Sequence, residues 1–312
     1  MTPLFHYVQT SCGYVINTSS SGVSDRQVTG RTDTPRHEEF AVNAERPTGP
    51  TRGIVHSADG TPIAWSRAGA GPDLVMVHCV GVSRATTPQP TLPAELARHF
   101  TVWTYDRRGK GESGTADTYD VQREIEDLEA VIGLTSGPAT VYGFSSGATL
   151  ALIAAESGAP IHRLALLEPP LFAAPDPDRE FLTEGERQLA EGPRSLHEWF
   201  QIHVVGVPDE VLAELPPVAD ETLRDAASIL HELAFLPGTP AERFRSVSRP
   251  TLIVASDSTA PEIHGWGREL EEQLPDARLE ILPGEWHGVD DATLTAAIGR
   301  FVDGAHSPPA FA

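Results

Sequence analysis

Six short apolar runs, separated by segments of helical periodicity, constrain this chain more than any other feature of its sequence. The runs are Leu74-Val75-Met76-Val77, Val102-Trp103-Thr104-Tyr105, Thr140-Val141-Tyr142, Leu164-Ala165-Leu166-Leu167, Leu252-Ile253-Val254 and Leu279-Glu280-Ile281-Leu282. Short runs of this kind read as strands buried on both faces. Between them lie amphipathic stretches, such as Ile125, Leu128, Val131 and Ile132 beside an acidic face of Glu124, Glu126, Asp127 and Glu129. Strand and helix in alternation predict an α/β fold with a mostly parallel central sheet flanked by helices, because parallel neighbours need long crossovers. Ahead of the first run, Ile54-Val55-His56 and Ile63-Ala64-Trp65 flank Ala58-Asp59-Gly60, which predicts a hairpin.

The alternation stops between residues 172 and 249. Helices are expected near Glu180–Glu191, Leu196–Val204 and Glu221–Leu236, with no strand among them. This segment reads as a helical cap inserted between two sheet strands, a position from which insertions commonly cover a site. The sheet core then comprises 52–171 and 250–305. Residues 1–51 carry Ser, Thr, Gly and Arg with scattered apolar residues and read as an N-terminal extension, partly disordered or loosely packed. Residues 306–312 read as a flexible tail.

With 312 residues, 40% of them apolar, the chain can bury a large core without covalent staples. Cys12 and Cys79 match neither a disulfide framework nor the spacing of a zinc site, so no metal is expected. A net charge of −21 repels phosphate backbones and anionic bilayers, which argues against nucleic-acid and membrane partners. The first Lys or Arg is Arg26, and no apolar run approaches the roughly 20 residues of a membrane span. The expectation is a soluble, cytoplasmic protein.

The sharpest local signal is Gly143-Phe144-Ser145-Ser146-Gly147, a G-x-S-x-G between a buried strand and an apolar helix over Ala148–Ala155. Such a turn lifts the Ser145 hydroxyl clear of the sheet, and the helix N-terminus favours negative charge developing beside it. A serine hydroxyl is a weak nucleophile at neutral pH and needs a base. His287 follows the last apolar run and precedes a terminal helix over Ala292–Val302, so it should emerge at the same sheet edge as Ser145. His56, His162, His197, His203, His231 and His264 do not follow a central strand, and each is expected to be packed or on the surface.

At these residues the chain resembles the α/β-hydrolase family over about 52–305. Val75-Met76-Val77-His78-Cys79-Val80-Gly81 resembles the family's strand ending in His-Gly. Asp106-Arg107-Arg108-Gly109-Lys110-Gly111-Glu112-Ser113 resembles its D-x-R-G-x-G-x-S turn, and Pro283-Gly284-Glu285-Trp286-His287-Gly288 its histidine loop. The resemblance implies an α/β-hydrolase fold, a serine hydrolase and an oxyanion hole formed by the amides of Val80 and Ser146. It also implies that His78 orders the oxyanion loop. Cys79 stands where the family usually has glycine and is expected to be a packed thiol. The turn over 106–113 lacks the spacing of a phosphate loop and is expected to be structural.

An acid must hold the imidazole in one tautomer. Asp257, after Leu252-Ile253-Val254-Ala255, is the preferred candidate, although it comes about two positions earlier than in most of the family. Glu168, directly after the run Leu164–Leu167 and before Pro169-Pro170, is the second. Substrate contacts are expected from Val82, Phe144, Leu171, Trp199 and Trp286. The cap shows no basic cluster, which favours a small, mostly neutral ester, lactone or thioester, cleaved through an acyl-enzyme without a cofactor. The same scaffold also supports lyases, cofactor-independent oxygenases, carbon-carbon hydrolases and small-ligand receptors, because fold does not fix chemistry. A small-molecule substrate is the expected partner, and a homodimer is left open.

Overall fold

The structure is a computed structural model that describes residues 50–304 apart from 117, 208–211 and 213–216. The expected N-terminal extension, up to its last two residues, and the tail over 306–312 lie outside the described residues. Each of the six apolar runs is a strand. They are β3 (Asp73–Val77), β4 (Thr101–Tyr105), β5 (Thr140–Phe144), β6 (Arg163–Leu167), β7 (Thr251–Ser256) and β8 (Ala277–Leu282). The hairpin β1 (Thr51–His56) and β2 (Pro62–Gly69) precedes them, with His56 opposite Pro62 and Val55 opposite Ile63. Asp59 closes the connecting loop by accepting the Thr61 amide at 2.9 Å.

These strands form one sheet in the order β1-β2-β4-β3-β5-β6-β7-β8. The β1–β2 and β2–β4 pairs are antiparallel and the rest parallel. Strands β3, β4, β5 and β7 are buried along their whole length, whereas the edge strands β1 and β8 are half exposed. That difference explains why the central runs carry no polar alternation. Helices α1 (Leu92–Leu96) and α9 (Asp291–Val302) cover one face, where Leu92, Leu96, Leu294 and Phe301 meet Leu74, Val102 and Val254. On the other face lie α2 (Val121–Ile132), α3 (Ser146–Glu156) and α8 (Pro261–Gln273), whose Ile125, Leu128, Leu150 and Leu270 pack on Val75, Val141 and Ile253. No helix among the described residues is long and apolar enough to cross a membrane.

Between β6 and β7 the chain forms a helical insertion. It contains α4 (Glu180–Glu191), α5 (Pro193–Phe200) continued by a π-helical turn Gln201–Val205, α6 (Asp220–Arg224) and α7 (Ile229–Phe235). The single helix expected over Glu221–Leu236 is therefore broken. Ser228 donates both its amide and its hydroxyl to the Asp225 carbonyl, at 2.9 and 2.6 Å, and forms a 3-10 turn between α6 and α7. Leu182, Leu196, Trp199, Leu233 and Phe235 of the insertion join the core on the α2–α3 face, so the insertion shares one apolar interior with the sheet.

The sheet order reverses between β3 and β5, because β4 lies on one side of β3 and β5 on the other. In open α/β sheets the crevice beyond the carboxyl ends of such a pair is where ligands bind. The loops leaving β3 and β5 carry Val80 and Ser145.

Candidate active site

Ser145 stands at the turn from β5 into α3. Its amide still bonds to the Leu167 carbonyl at 2.9 Å, so it extends the parallel ladder by one residue. Its φ of 52° and ψ of −127° then reverse the chain into the helix. A non-glycine residue held in this sparsely populated region costs about 1–3 kcal/mol, which the surrounding fold must offset. The flanking glycines serve a different purpose, since neither has a positive φ. A Cβ on Gly147 would stand 2.4 Å from the Val77 carbonyl and 2.6 Å from that of His78, and one on Gly143 would stand 2.5 Å from Ala148 Cα. Glycine at these positions lets the α3 N-terminus press against both β5 and the end of β3. Gly147→Ala should consequently lower stability by about 3 kcal/mol, read from urea unfolding, because its clash is with backbone that cannot rotate away.

Glu168 occupies the matching place on the neighbouring strand. Phe144 pairs with Leu167 across β5 and β6, so Ser145 and Glu168 follow adjacent strand ends. Glu168 also has a positive φ, 48°, and is almost fully buried. Its carboxylate accepts the Ser256 amide at 2.8 Å on Oε1, and the Thr259 hydroxyl at 3.0 Å on Oε2. His287 Nδ1 lies 2.6 Å from the same Oε2. His287 is the third residue of this group with a positive φ, 57°. It sits between two short strands, β9 (Gly284–Glu285) and β10 (Gly288–Val289), that pair in a hairpin. Its ring packs on Phe144, with centroids 4.9 Å apart, and on Trp286, at 5.3 Å. Nε2 faces no hydrogen-bond partner among the described residues, and no hydrogen bond joins it to Ser145 in this structure.

Asp257, the acid preferred from sequence, is not the partner of His287, and that preference is corrected here. Asp257 accepts the Gly284 amide at 3.1 Å and the Ser258 hydroxyl at 3.1 Å, pinning the histidine loop to the end of β7. The physical reason is strand order. Glu168 follows β6, which adjoins β5, whereas Asp257 follows β7, one strand further from Ser145. The available signal was the placement of Glu168 directly after a fully apolar run, where an ionisable side chain needs a partner.

The sequence model of one family, described as Alpha/beta hydrolase family, matches residues 74–300. The chain belongs to the alpha/beta hydrolase family. It is 37% identical to an alpha/beta hydrolase from Sphaerobacter thermophilus of known crystal structure, covering 80% of this chain and all of that one with a TM-score of 0.72. An esterase, EaEST, from Exiguobacterium antarcticum shares the fold at 20% identity and a TM-score of 0.63, over 80% of this chain and 98% of its own. A Mycobacterium tuberculosis protein named "Putative non-heme bromoperoxidase BpoC" is 24% identical over 256 residues, 72% of this chain and 90% of its own.

Behind the Ser145 turn of this α/β-hydrolase lies a cluster of buried charge. Arg107, from the turn after β4, makes paired contacts with Glu124 at 2.6 and 2.7 Å, and reaches Glu232 Oε1 at 2.5 Å and the His78 carbonyl at 3.3 Å. Lys110 Nζ donates to the Cys79 carbonyl at 3.3 Å and to Glu232 Oε1 at 3.4 Å. Ser146 Oγ is 3.4 Å from that same oxygen. Burial works to raise the Glu124 carboxyl's pKa, but the Arg107 charge and hydrogen bonds outweigh it and hold it below the usual range. Burial, followed by the Arg107 charge, pulls Lys110 below the ordinary lysine range. The turn itself is held by Asp106, which accepts the Arg84 and Glu112 amides at 2.7 and 3.0 Å, and by Ser113, which donates to the Asp106 carbonyl at 2.6 Å. The sequence gives this turn a structural role in which Asp106 and Arg107 tie loops together, and their contacts to Arg84 and to the His78 carbonyl agree with it. Sequence reasoning missed Glu232 altogether.

The amides of Val80 and Ser146 donate no hydrogen bond to protein among the described residues. Burial pushes the Cys79 thiol up to about 11, so it stays protonated at neutral pH and packs as an apolar group. His78 makes no side-chain hydrogen bond through Nε2, and its carbonyl rather than its ring ties the loop to Arg107. Of the residues expected to meet substrate, Phe144 and Trp286 flank His287, and Val82 is half-buried on the α1–α9 side. Leu171 and Trp199 belong to the core shared by the insertion and the sheet, Trp199 stacking on His203 at 5.6 Å.

Two further histidines tie this hydrolase's stability to pH. Burial lowers His78 to about 4 from 6.5, and lowers His231, stacked 4.1 Å from Tyr119, to the same value despite Glu124 and Glu232 nearby. The unfolded chain therefore takes up protons that the folded one refuses, so stability falls as pH drops from about 6.5 toward 4. Thermal midpoints measured across that window should decline, and His231→Phe, which removes one of these groups, should flatten the slope.

Proposed function

We propose that this enzyme is a serine hydrolase that cleaves a carboxylic ester, lactone or thioester of a small, mostly neutral substrate through an acyl-enzyme on Ser145. The observation that carries this reading is the 2.6 Å contact from His287 Nδ1 to buried Glu168, at the sheet edge where the strained Ser145 turn stands. With Nδ1 hydrogen-bonded to the carboxylate, Nε2 is the nitrogen left to accept a proton. As substrate binds, Ser145 Oγ attacks the carbonyl carbon while His287 Nε2 takes the hydroxyl proton. The tetrahedral oxyanion is received by the amides of Val80 and Ser146, two donors with no acceptor among the described residues. Collapse expels the alcohol or thiol, protonated by His287, and water then reverses the sequence to release the acid. The open Ser145–His287 geometry is compatible with this course, since catalytic hydrogen bonds often tighten only when substrate is bound.

Preference for a neutral substrate is supported by the two cations of the buried charge cluster behind the Ser145 turn. Arg107 and Lys110 are both buried and committed to Glu124 and Glu232, so neither is free to pair with a substrate anion. A fluorophosphonate probe tests the reading directly. It should form one adduct on the folded protein, mapped by peptide mass to Ser145. A folded protein that resists the probe, or is modified only elsewhere, overturns the acyl-enzyme mechanism and favours a non-hydrolytic reaction or simple ligand binding.

A further inference from the structure

Lys110 is the chain's only lysine, and the fold buries it completely beside the loop that leaves β3. Among the described residues its Nζ donates to the Cys79 carbonyl and to Glu232 Oε1, the latter delivered from α7 of the insertion. Arg107, joined to the same Glu232 oxygen, holds the preceding carbonyl, that of His78. In an extended strand successive carbonyls point to opposite sides. Here two consecutive carbonyls are drawn to one cationic cluster. No peptide bond among the described residues is cis. In a trans peptide the C=O and the following N–H are antiparallel, so fixing the Cys79 carbonyl on Lys110 turns the Val80 N–H away from the cluster. Consecutive amides directed to one side form a concavity suited to an anion.

We propose that Lys110 is a positioning residue for the oxyanion site, holding the Cys79–Val80 peptide so that the Val80 amide is presented to the reacting carbonyl, and that Glu232 of the helical insertion holds Lys110 in place. This rests on the acyl-enzyme reading above. It assigns the insertion a part in transition-state stabilisation. In this arrangement the cation acts through the peptide, by its hydrogen bond to the Cys79 carbonyl, and the Val80 amide is the group that meets the oxyanion. Cys79 in place of the usual glycine fits this arrangement: a residue with a side chain has less backbone freedom than glycine, and the two cations select one of its conformations.

The test compares wild type with Lys110→Met and with Lys110→Met/Glu232→Gln. The double variant leaves Arg107 and Glu124 as a neutral pair, so no uncompensated charge is buried, and it carries the test if the single variant does not fold. With an ester that wild type turns over, kcat should fall at least about tenfold, approaching the ~10²-fold or greater loss seen when an oxyanion donor is deleted. KM should stay within about threefold, because the amide acts mainly on the transition state. Affinity for an aryl boronic acid, which becomes tetrahedral on the serine oxygen, should fall with kcat, while the acid limb of the pH profile, set by His287, stays in place. A purely structural lysine predicts a lower thermal midpoint with unchanged kcat in the folded fraction. That result, or a kcat loss with boronate affinity intact, overturns the proposal. Failure of the parent reading is distinct, since wild type itself then resists the fluorophosphonate and hydrolyses no ester.

Discussion

Ser145→Ala should lower kcat for any ester the enzyme hydrolyses by about 10⁶-fold and abolish fluorophosphonate labelling, while leaving the fold intact. The size follows from the chemistry, because without the hydroxyl His287 has no nucleophile to activate and water must attack directly. A residual rate of about 10³-fold over the uncatalysed reaction should persist, since in the proposed mechanism the Val80 and Ser146 amides remain to stabilise the oxyanion. The substitution removes one oxygen at a site of positive φ that alanine also tolerates poorly. Stability should therefore shift by less than about 1 kcal/mol, in either direction. Single-turnover kinetics with an activated aryl ester would measure both the loss and the absence of an acyl burst. A rate within about tenfold of wild type would remove Ser145 from the mechanism.

Glu168→Gln carries the second largest expected effect, a fall in kcat of about 10⁴-fold. The amide is nearly isosteric and still accepts a hydrogen bond, yet it cannot stabilise the imidazolium that, in the proposed mechanism, forms as His287 takes the serine proton. Glu168 also accepts the Ser256 amide and the Thr259 hydroxyl. A rotated amide would present a donor to one of these donors, so a loss of about 1–3 kcal/mol in stability should accompany the kinetic defect. Asp257→Asn is the matched control. Asparagine keeps an oxygen for the Gly284 amide, and Asp257 makes no contact with His287, so kcat should remain within about threefold of wild type. The reverse pattern, with Asp257→Asn crippled and Glu168→Gln active, would mean that the histidine loop changes partner during turnover.

The contrast between these two carboxylates shows where sequence reading stops. Both follow apolar runs, and distance along the chain does not say which strand ends are neighbours. Strand order does, and it emerges only when β3 takes the centre and β6, not β7, pairs with β5. The same limit applies to Glu232. On α7 it appears as one acidic residue in a helical pattern, 122 residues from Lys110, and nothing local marks it as the carboxylate that a buried lysine requires. Trp199 illustrates the limit for apolar residues. Helical periodicity places it on the inner face of α5, but whether that face meets substrate or core depends on how the insertion seats, and in the structure it joins the core.

What the sequence by itself determined was local and periodic. Runs of two-sided apolar residues specified the strands, the intervening period of about 3.6 specified the helices, and Gly143-Phe144-Ser145-Ser146-Gly147 specified a sharp strand-to-helix turn, because each of these depends on neighbours within a few residues. Tertiary structure alone decided which carboxylate meets the imidazole, and which cations grip the carbonyls of His78 and Cys79. These contacts join residues as much as 125 positions apart, and a charged group finds its partner by where the packed core leaves it rather than by its place in the chain.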